Sequence, residues 1–509
     1  MKRLLPALLS LLFFSCSFGS GKLEVSRKGS ATLIKTIYPS GFPRVFSGSE
    51  GKSYMVVEGD VRFAAISPTL ESGKEWEIKG EPGFMPIDFI HIGDDKFLVL
   101  LGDVGDPTMH MPVIGTIDGI IYDGVTGKEG AKQRLVDLGK DVLIYAGVRQ
   151  SPDQRHLAIT TWKSGWEGGV RISTTFFDRT LQTLSKSVEQ EYPVADPGTN
   201  VYDVLIPNEG GTLVIRSTGS ERSATLSVDY AGGTAGEVTT DVTFPPILAE
   251  DDVAIGGIAA SITGEHELTV ATGLFNDDNL KGLYLTRLNY TTGTIISHDS
   301  LLLDHAKARE LTKRKNLPHV KPTQIIVSEN GTIYVAAEAE EVKKISTTKY
   351  TEMKGLKSTY VYEQTYGDGE YYRGVLGDMF LFSFSSEGKY QWGERMVEKS
   401  LPGNYIQVSV WEARPYWHMH DWLRKQVTPV TLRNGKCAVI YNAATSLHYT
   451  ELSLDGENRS VKHYPLIESS GMSIADQSTT FWQNDSTLLV GGFTGLFSQT
   501  YYLMQLLIP

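Results

Sequence analysis

Apolar and polar positions alternate in short runs along most of this chain. In "FLFSFSSEGKYQWGERM", Phe380, Phe382 and Phe384 alternate with other residues, "SSEGK" turns, and "YQWGERM" runs back. A period of two with a glycine-bearing turn predicts a β-hairpin. Units of the same form begin at Gly119, Ile172, Tyr284 and Tyr449. A second element, a polar turn followed by a compact apolar strand, begins at Gly93, Ser151, Pro207, Gly264, Ser328, Arg433 and Gln483.

These starts recur about every 50–65 residues, a repeat length typical of propeller blades. The interval from Ser328 to Arg433 is stretched by insertions. A four-stranded sheet cannot cover both of its apolar faces alone, but sheets stacked around an axis cover one another. The expected fold is therefore all-β: a single β-propeller of about eight blades, seven being the other count that the pattern allows. Two packed smaller β domains are the alternative architecture. The last unit, from Thr479 to Leu507, is one strand short, and "SATLIKTIY" (Ser30 to Tyr38) is expected to supply that strand and close the ring. The propeller would span 22–509, with inserted loops near 304–318, 341–373 and 400–425.

The length of 509 residues suits a repeat structure better than one ordinary domain. The chain has net charge −12 and no dominant basic patch, which argues against nucleic acid as a partner. Residues 1–21 read as an export signal. Lys2 and Arg3 precede the apolar run from Leu4 to Phe14, and small residues follow. No later apolar run reaches the roughly 18 residues a membrane helix needs.

Cys16 follows Ser15 at the end of that run. The stretch resembles the lipobox of bacterial lipoproteins, although Phe13 and Phe14 stand where Leu and a small residue are usual. The resemblance implies that Cys16 is acylated and becomes the mature N-terminus, so that a lipid anchor holds the protein at an outer membrane or in the periplasm. Plain secretion, with cleavage near Gly19 or Gly21, is the other reading. The second cysteine, Cys437 in "GKCAVIYN", alternates into a strand and reads as a small buried hydrophobe.

Further resemblances rest on turns. "SPDQRHLAI" looks like a turn of TolB-like and prolyl-peptidase-type propellers, with Gln154 where Gly is usual. "DGVTGK" and "NYTTGT" resemble turns of quinoprotein propellers. From about Leu303 to Ser400 the chain resembles a group of uncharacterised exported proteins of Bacteroidetes-type bacteria. Gly331, Glu338, Asp378, Gly388, Lys389 and Trp392 carry that likeness. It implies a propeller in the cell envelope and no particular catalytic residue.

Two aromatic runs are candidates for recognition. "SVWEARPYWHMHDWLRKQ" gathers Trp411, Arg414, Tyr416, Trp417, His418, His420 and Trp422. Aromatics beside Arg and His carry binding energy at interfaces and stack on sugar rings. His418 and His420 would share one face of a strand, but no third ligand is evident, so the metal stays unknown. "TTWKSGWEGGVR" places Trp162 and Trp166 around a glycine-rich loop. The other reading of the first run is tryptophans that cap the propeller edge beside solvated histidines, and of the second a loop that packs its own tryptophans. A Tyr-rich insertion, Ser358 to Gly374, reads as a protruding hairpin or a loop. "GDVGDPTMHMP" and "FNDDNLKG" read as turns rather than Ca²⁺ loops.

The basic segment from Asp304 to Asn316 reads as a short helix anchored by Ala306, Ala308 and Leu311. Its cations lie in water or against anionic lipid.

There is no G-x-S-x-G elbow, no H-E-x-x-H and no Walker loop, and no cofactor is expected. The reading is a non-catalytic binding or assembly propeller that recognises a protein or glycan partner. A polysaccharide-active glycosidase or lyase, drawing carboxylates from separate blades, is the alternative.

Overall fold

The computed structural model describes residues 26–36, 43–57, 62–68, 72–78, 84–104, 114–139, 142–164, 170–184, 188–192, 200–218, 225–232, 236–244, 254–276, 279–345, 371–398, 405–408, 430–433, 435–443, 446–454, 459–467, 473–474, 480–484, 487–494 and 499–507. The first strand is β1 (Ser26–Thr36). Seven sheets of consecutive antiparallel strands follow.

The first of these contains β2 (Pro43–Ser47), β3 (Ser53–Val57), β4 (Arg62–Ile66) and β5 (Ser72–Glu77). The second contains β6 (Phe84–Gly93), β7 (Lys96–Val104), β8 (Ile114–Asp123) and β9 (Gln133–Asp137). The third contains β10 (Val142–Gln150), β11 (Leu157–Ser164), β12 (Val170–Phe177) and β13 (Val188–Tyr192). The fourth contains β14 (Asn200–Leu205), β15 (Thr212–Thr218), β16 (Thr225–Ala231) and β17 (Glu237–Thr243). The fifth contains β18 (Ala254–Gly264), β19 (Glu267–Asn276), β20 (Asn279–Asn289) and β21 (Thr294–Leu302). Helix α1 (His305–Thr312) leads to the sixth, with β22 (Val320–Val327), β23 (Ile333–Ile345), β24 (Tyr371–Phe384), β25 (Tyr390–Val397) and the added β26 (Tyr405–Val408). The seventh contains β27 (Val430–Arg433), β28 (Lys436–Ala443), β29 (Ser446–Ser453) and β30 (Val461–Ile467).

The eighth sheet joins both ends of the chain. It holds β31 (Ser473–Ile474), β32 (Thr480–Asn484), β33 (Thr487–Thr494), β34 (Gln499–Leu507) and β1. β1 pairs antiparallel with β34, from Ser26 opposite Leu507 to Thr36 opposite Gln499. The expected closing strand is therefore present, starting four residues earlier than its alternation suggested.

The eight sheets stand as the blades of a β-propeller. First strands of successive blades neighbour one another: β6 lies beside β10, β14 beside β18, β18 beside β22, and β22 beside β27. β2 lies against β32 and β33, which brings the closing blade to the first.

The hairpin from Phe380 to Met396 shows why the pattern folds this way. Phe380, Phe382 and Phe384 all point to one face and are buried. The turn is closed by the Ser385 N–H donating to the Lys389 carbonyl (2.8 Å) and the Gly388 N–H donating to the Ser385 carbonyl (2.9 Å). Gly388 sits at φ 88°, where a side chain would be strained. In "DGVTGK" the Asp123 carboxylate accepts from the Val125 and Thr126 N–H groups. In "NYTTGT" the Asn289 side-chain oxygen accepts from the Thr291 and Thr292 N–H groups in the same manner. Both are side-chain-capped turns. Gln154 occupies the usual glycine position of its turn and takes φ 60° there.

Each apolar cluster is built from two neighbouring blades. Phe89, Phe97 and Ile120 of the second blade meet Tyr54 and Val56 of the first. Leu213, Ile215 and Val228 of the fourth meet Leu268 and Val270 of the fifth. Phe380, Phe382 and Phe384 of the sixth meet Leu283 and Leu285 of the fifth. Among the described residues, the core is thus a set of seams between neighbouring blades.

Helix α1 starts at Asp304, whose carboxylate accepts from the Lys307 N–H (2.8 Å), and ends at left-handed Lys313 (φ 63°). It seats Ala308, Leu311 and Thr312, which share a face at i, i+3 and i+4. Ala306, expected as an anchor, lies off that face and is exposed.

Candidate binding surface

Strict antiparallel order divides the connections between the two ends of the ring. The first-to-second and third-to-fourth strand connections leave at one end, here the turn end. The second-to-third connections and the links between blades leave at the other, here the insertion end. Among the described residues, turn-end connections include the tight turns at 94–95, 265–266, 290–293 and 385–389. The two aromatic runs, the Tyr-rich insertion and the two acidic runs of the sequence are flanked by strand ends of the other class: Val104 and Ile114, Ser164 and Val170, Asn276 and Asn279, Ile345 and Tyr371, and Val408 and Val430. Trp166, Trp411, Arg414, Tyr416, Trp417, His418, His420 and Trp422 lie outside the described residues, as does Cys16.

The sixth blade departs from the common pattern. β22 stops pairing where Val320 meets Ala339, yet β23 continues to Ile345 and pairs with Tyr371 of β24. β26 then adds to β24 over Tyr372–Val375, with Tyr372 opposite Val408 and Val375 opposite Tyr405. β23, β24 and β26 form a three-stranded extension beyond the blade. Six residues of β23 past Ala339 correspond to about 20 Å of strand. Positions 341–345 and 371–373, assigned by pattern to an inserted loop, are strand.

Charge gathers where the blade narrows into this extension. Glu338 is fully buried, and its register partner on β22 is Lys321. Asp378 is buried on β24, 3.7 Å from the Arg395 guanidinium, which also reaches Glu398 at 2.9 Å. A register shift separates Glu338 from Glu340 on the same level. Buried carboxylates are costly unless paired, so this belt of alternating charge ties β23, β24 and β25 at the root of the extension. On β25, burial pushes the Glu394 carboxyl above the usual carboxylate range, opposed by Arg459 and Arg395 and reinforced by Glu310. Trp392 is partly exposed, with the Arg459 guanidinium 4.8 Å from its ring centre. Of the residues that carried a sequence resemblance, Glu338 and Asp378 lie together at the root of the extension, whereas Trp392 stands opposite Ser383, nearer the β24–β25 turn.

Trp162 lies within β11, not in a loop. It is 6% exposed and packs with Ile172, Tyr192, Val204 and Val214 across the seam between the third and fourth blades. A ring so placed offers little surface to a partner. Cys437 is buried in the seam between the sixth and seventh blades, as expected of a small hydrophobe.

Sequence reasoning missed a polar belt on the innermost strands. The same register shift recurs there, between Pro86 and Asp88, Leu143 and Tyr145, Val201 and Asp203, Ile255 and Gly257, and Pro322 and Gln324. Next to it, Asp88 accepts from the Val148 N–H of the following blade (2.9 Å). Gln324 exchanges two hydrogen bonds with the Val430 backbone of the following blade, each 3.1 Å. The bulge frees backbone and re-aims side chains, but its residues differ from blade to blade, so no motif announces it.

Among the described residues, no group of three or more His, Cys, Asp or Glu side chains is placed to hold a metal. Among them too, no helix is long and apolar enough to cross a membrane.

No family model and no curated protein matches the chain. Solved structures do. The WD40 domain of SCAP from fission yeast is 8% identical, with TM-score 0.39, covering 95% of this chain and 98% of that one. A protein of unknown function from Bacteroides caccae is 13% identical, with TM-score 0.27, covering 70% and 94%. The AfRom2 CNH domain is 10% identical, with TM-score 0.31, covering 81% and 91%.

Proposed function

We propose that this propeller is a non-catalytic binding or assembly protein of a bacterial cell envelope, exported, acylated at Cys16, and specialised to hold a protein or glycan partner at its insertion end. The observation that carries this reading is the pairing of β26 with β24. It roots the Tyr-rich and Trp-rich insertions in one small sheet. An isolated aromatic loop must be ordered when it binds, which costs free energy. Two insertions that share a backbone-paired base begin closer to the bound arrangement.

Aromatic side chains with Arg and His suit partners that present flat apolar faces edged with hydroxyl or amide groups, such as sugar rings or peptide surfaces. The test compares the intact protein with the Trp417→Ala/Trp422→Ala double variant, measuring co-sedimentation with isolated envelope material and binding to a glycan array. The expected result is retention by the intact protein and at least about a tenfold loss in the variant, the loss of 1.4 kcal/mol or more that marks an anchor residue. The melting temperature should be unchanged. Equal binding by both proteins, or none by the intact protein, refutes the proposal.

A further inference from the structure

We infer that the turn end of the ring faces the lipid bilayer and that the insertion end faces away from it. The inference deepens the reading above and rests on acylation of Cys16. Its geometric basis is the direction of β1. Ser26 stands opposite Leu507, and Leu507 is also the partner of Thr487. Thr487 follows the first-to-second strand turn of the closing blade, so Ser26 lies at the turn end. Thr36 stands opposite Gln499, at the insertion end.

The stretch from Cys16 to Ser26 spans at most about 35 Å when fully extended. β1 has 11 residues, and a strand of that size covers roughly the same distance. An acylated Cys16 reaches the level of the insertion end only by drawing this tether out to its limit alongside the blade, at a large cost in chain entropy. With the turn end toward the bilayer no such extension is required.

The sequence offered a second lipid-facing candidate, and the fold sets the two in opposition. Helix α1 joins β21 to β22 through Leu302 and Val320, both at the insertion end of their blades. Its exposed cations, Arg309, Lys313, Arg314 and Lys315, belong to that connection. An upright ring cannot bring both the root of the tether and this connection to one flat bilayer. Covalent anchorage takes precedence over a few surface charges, because several buried acyl chains hold more strongly than a short basic patch.

The test uses the full-length acylated protein in vesicles of phosphatidylethanolamine and phosphatidylglycerol that contain a headgroup-nitroxide lipid. One dye is placed through Glu265→Cys, in the turn between β18 and β19, where the side chain is 92% exposed. Another is placed through Glu398→Cys, just after β25 at the insertion end, where it is 57% exposed. Cys437 is buried and stays unlabelled. The expected result is quenching severalfold stronger at position 265 than at 398. Equal quenching, or stronger quenching at 398, on protein whose intact mass shows the acyl chains overturns the orientation alone. An unacylated N-terminus by intact mass overturns the anchor and the orientation with it.

Discussion

Tyr372 of β24 stands directly opposite Val408 of β26 in an antiparallel pair. This one relationship brings together two insertions that look independent along the chain. Directly opposed positions of antiparallel strands have Cα atoms about 4.5–5.5 Å apart, within the range a disulfide spans. The Tyr372→Cys/Val408→Cys double variant is therefore expected to form an intramolecular disulfide under mild oxidation, read by thiol counting and by peptide mapping. Two thiols that stay free after oxidation would mean that β26 does not pair there.

Closure by β1 predicts a shared fate for the two ends of the chain. Removing residues up to 36 exposes the edge of β34 and leaves the eighth blade open. The truncated protein is expected to lose its single cooperative thermal transition, followed by circular dichroism, and to associate through the bare edge. A synthetic peptide covering 26–36 should restore much of the transition. A truncated chain that melts as the intact one does would contradict the closed ring.

Half-buried His91 and the more exposed His298 and His463 predict a modest pH dependence below neutrality. Burial lowers the affinity of His91, His298 and His463 for a proton below that of a free histidine, with Asp95 and Asp94 partly opposing this at His91. The ring of His298 lies 2.8 Å from the Thr286 hydroxyl, and that of His463 lies 2.8 Å from the Thr450 hydroxyl, each across the outer strand pair of its blade. The folded state disfavours protonation of these rings relative to the unfolded chain, which protonates them below about pH 6.5. Stability from these groups is full above that pH and is lost as pH falls toward the lowered folded values. Melting temperature should therefore drop between about pH 7 and 5. The His298→Gln/His463→Gln variant should show a shallower drop, and an unchanged slope would remove these two residues from the account.

Asp95 predicts a separate window at lower pH. Burial pushes its carboxyl up, but hydrogen bonds from Ser49, the nearby Tyr54 hydroxyl and the charge of Lys52 outweigh this and hold it below the usual range. The Ser49 N–H donates to it at 2.8 Å, and the Ser49 hydroxyl donates to its other oxygen, joining the first blade to the second. This contribution is present above the unfolded value near 3.9 and is lost as pH falls through the folded one. Asp95→Asn should destabilise the protein by about 1–3 kcal/mol at pH 7, the cost usual for hydrogen bonds to a charged group, and by much less near pH 3. Equal destabilisation at both pH values would point to packing in place of charge.

Thiol chemistry checks whether Cys16 is retained as a free thiol, while intact mass separates its acylation from its removal. Burial pushes the Cys437 thiol up to about 12, so it is inert toward alkylating reagents at neutral pH in the folded state. Exported protein should therefore show no reactive thiol when native and one after denaturation. A second thiol on denaturation would mean that Cys16 is retained unmodified.

Particular elements show how far the pattern could be read. The hairpin around Gly388 was legible because alternating phenylalanines and a glycine turn each have a local signature. Closure by β1 was legible because the last unit lacks a strand. The extension of the sixth blade was not. Residues 340–345, "EEVKKI", show no alternation of apolar and polar positions. The burial of Trp162 was left open by the sequence for the opposite reason: an aromatic beside a glycine-rich run looks the same whether it ends a strand inside a seam or begins an exposed loop.

By itself, the sequence determined the strands, their turns and the need for neighbouring blades, because period, turn residues and unburied apolar faces are all local properties of the chain. Only the tertiary structure decided which strand ends share one end of the ring, which two insertions share a base, and at which end β1 begins. Those depend on backbone pairing between distant segments, and a backbone hydrogen bond carries no side-chain identity for the sequence to display.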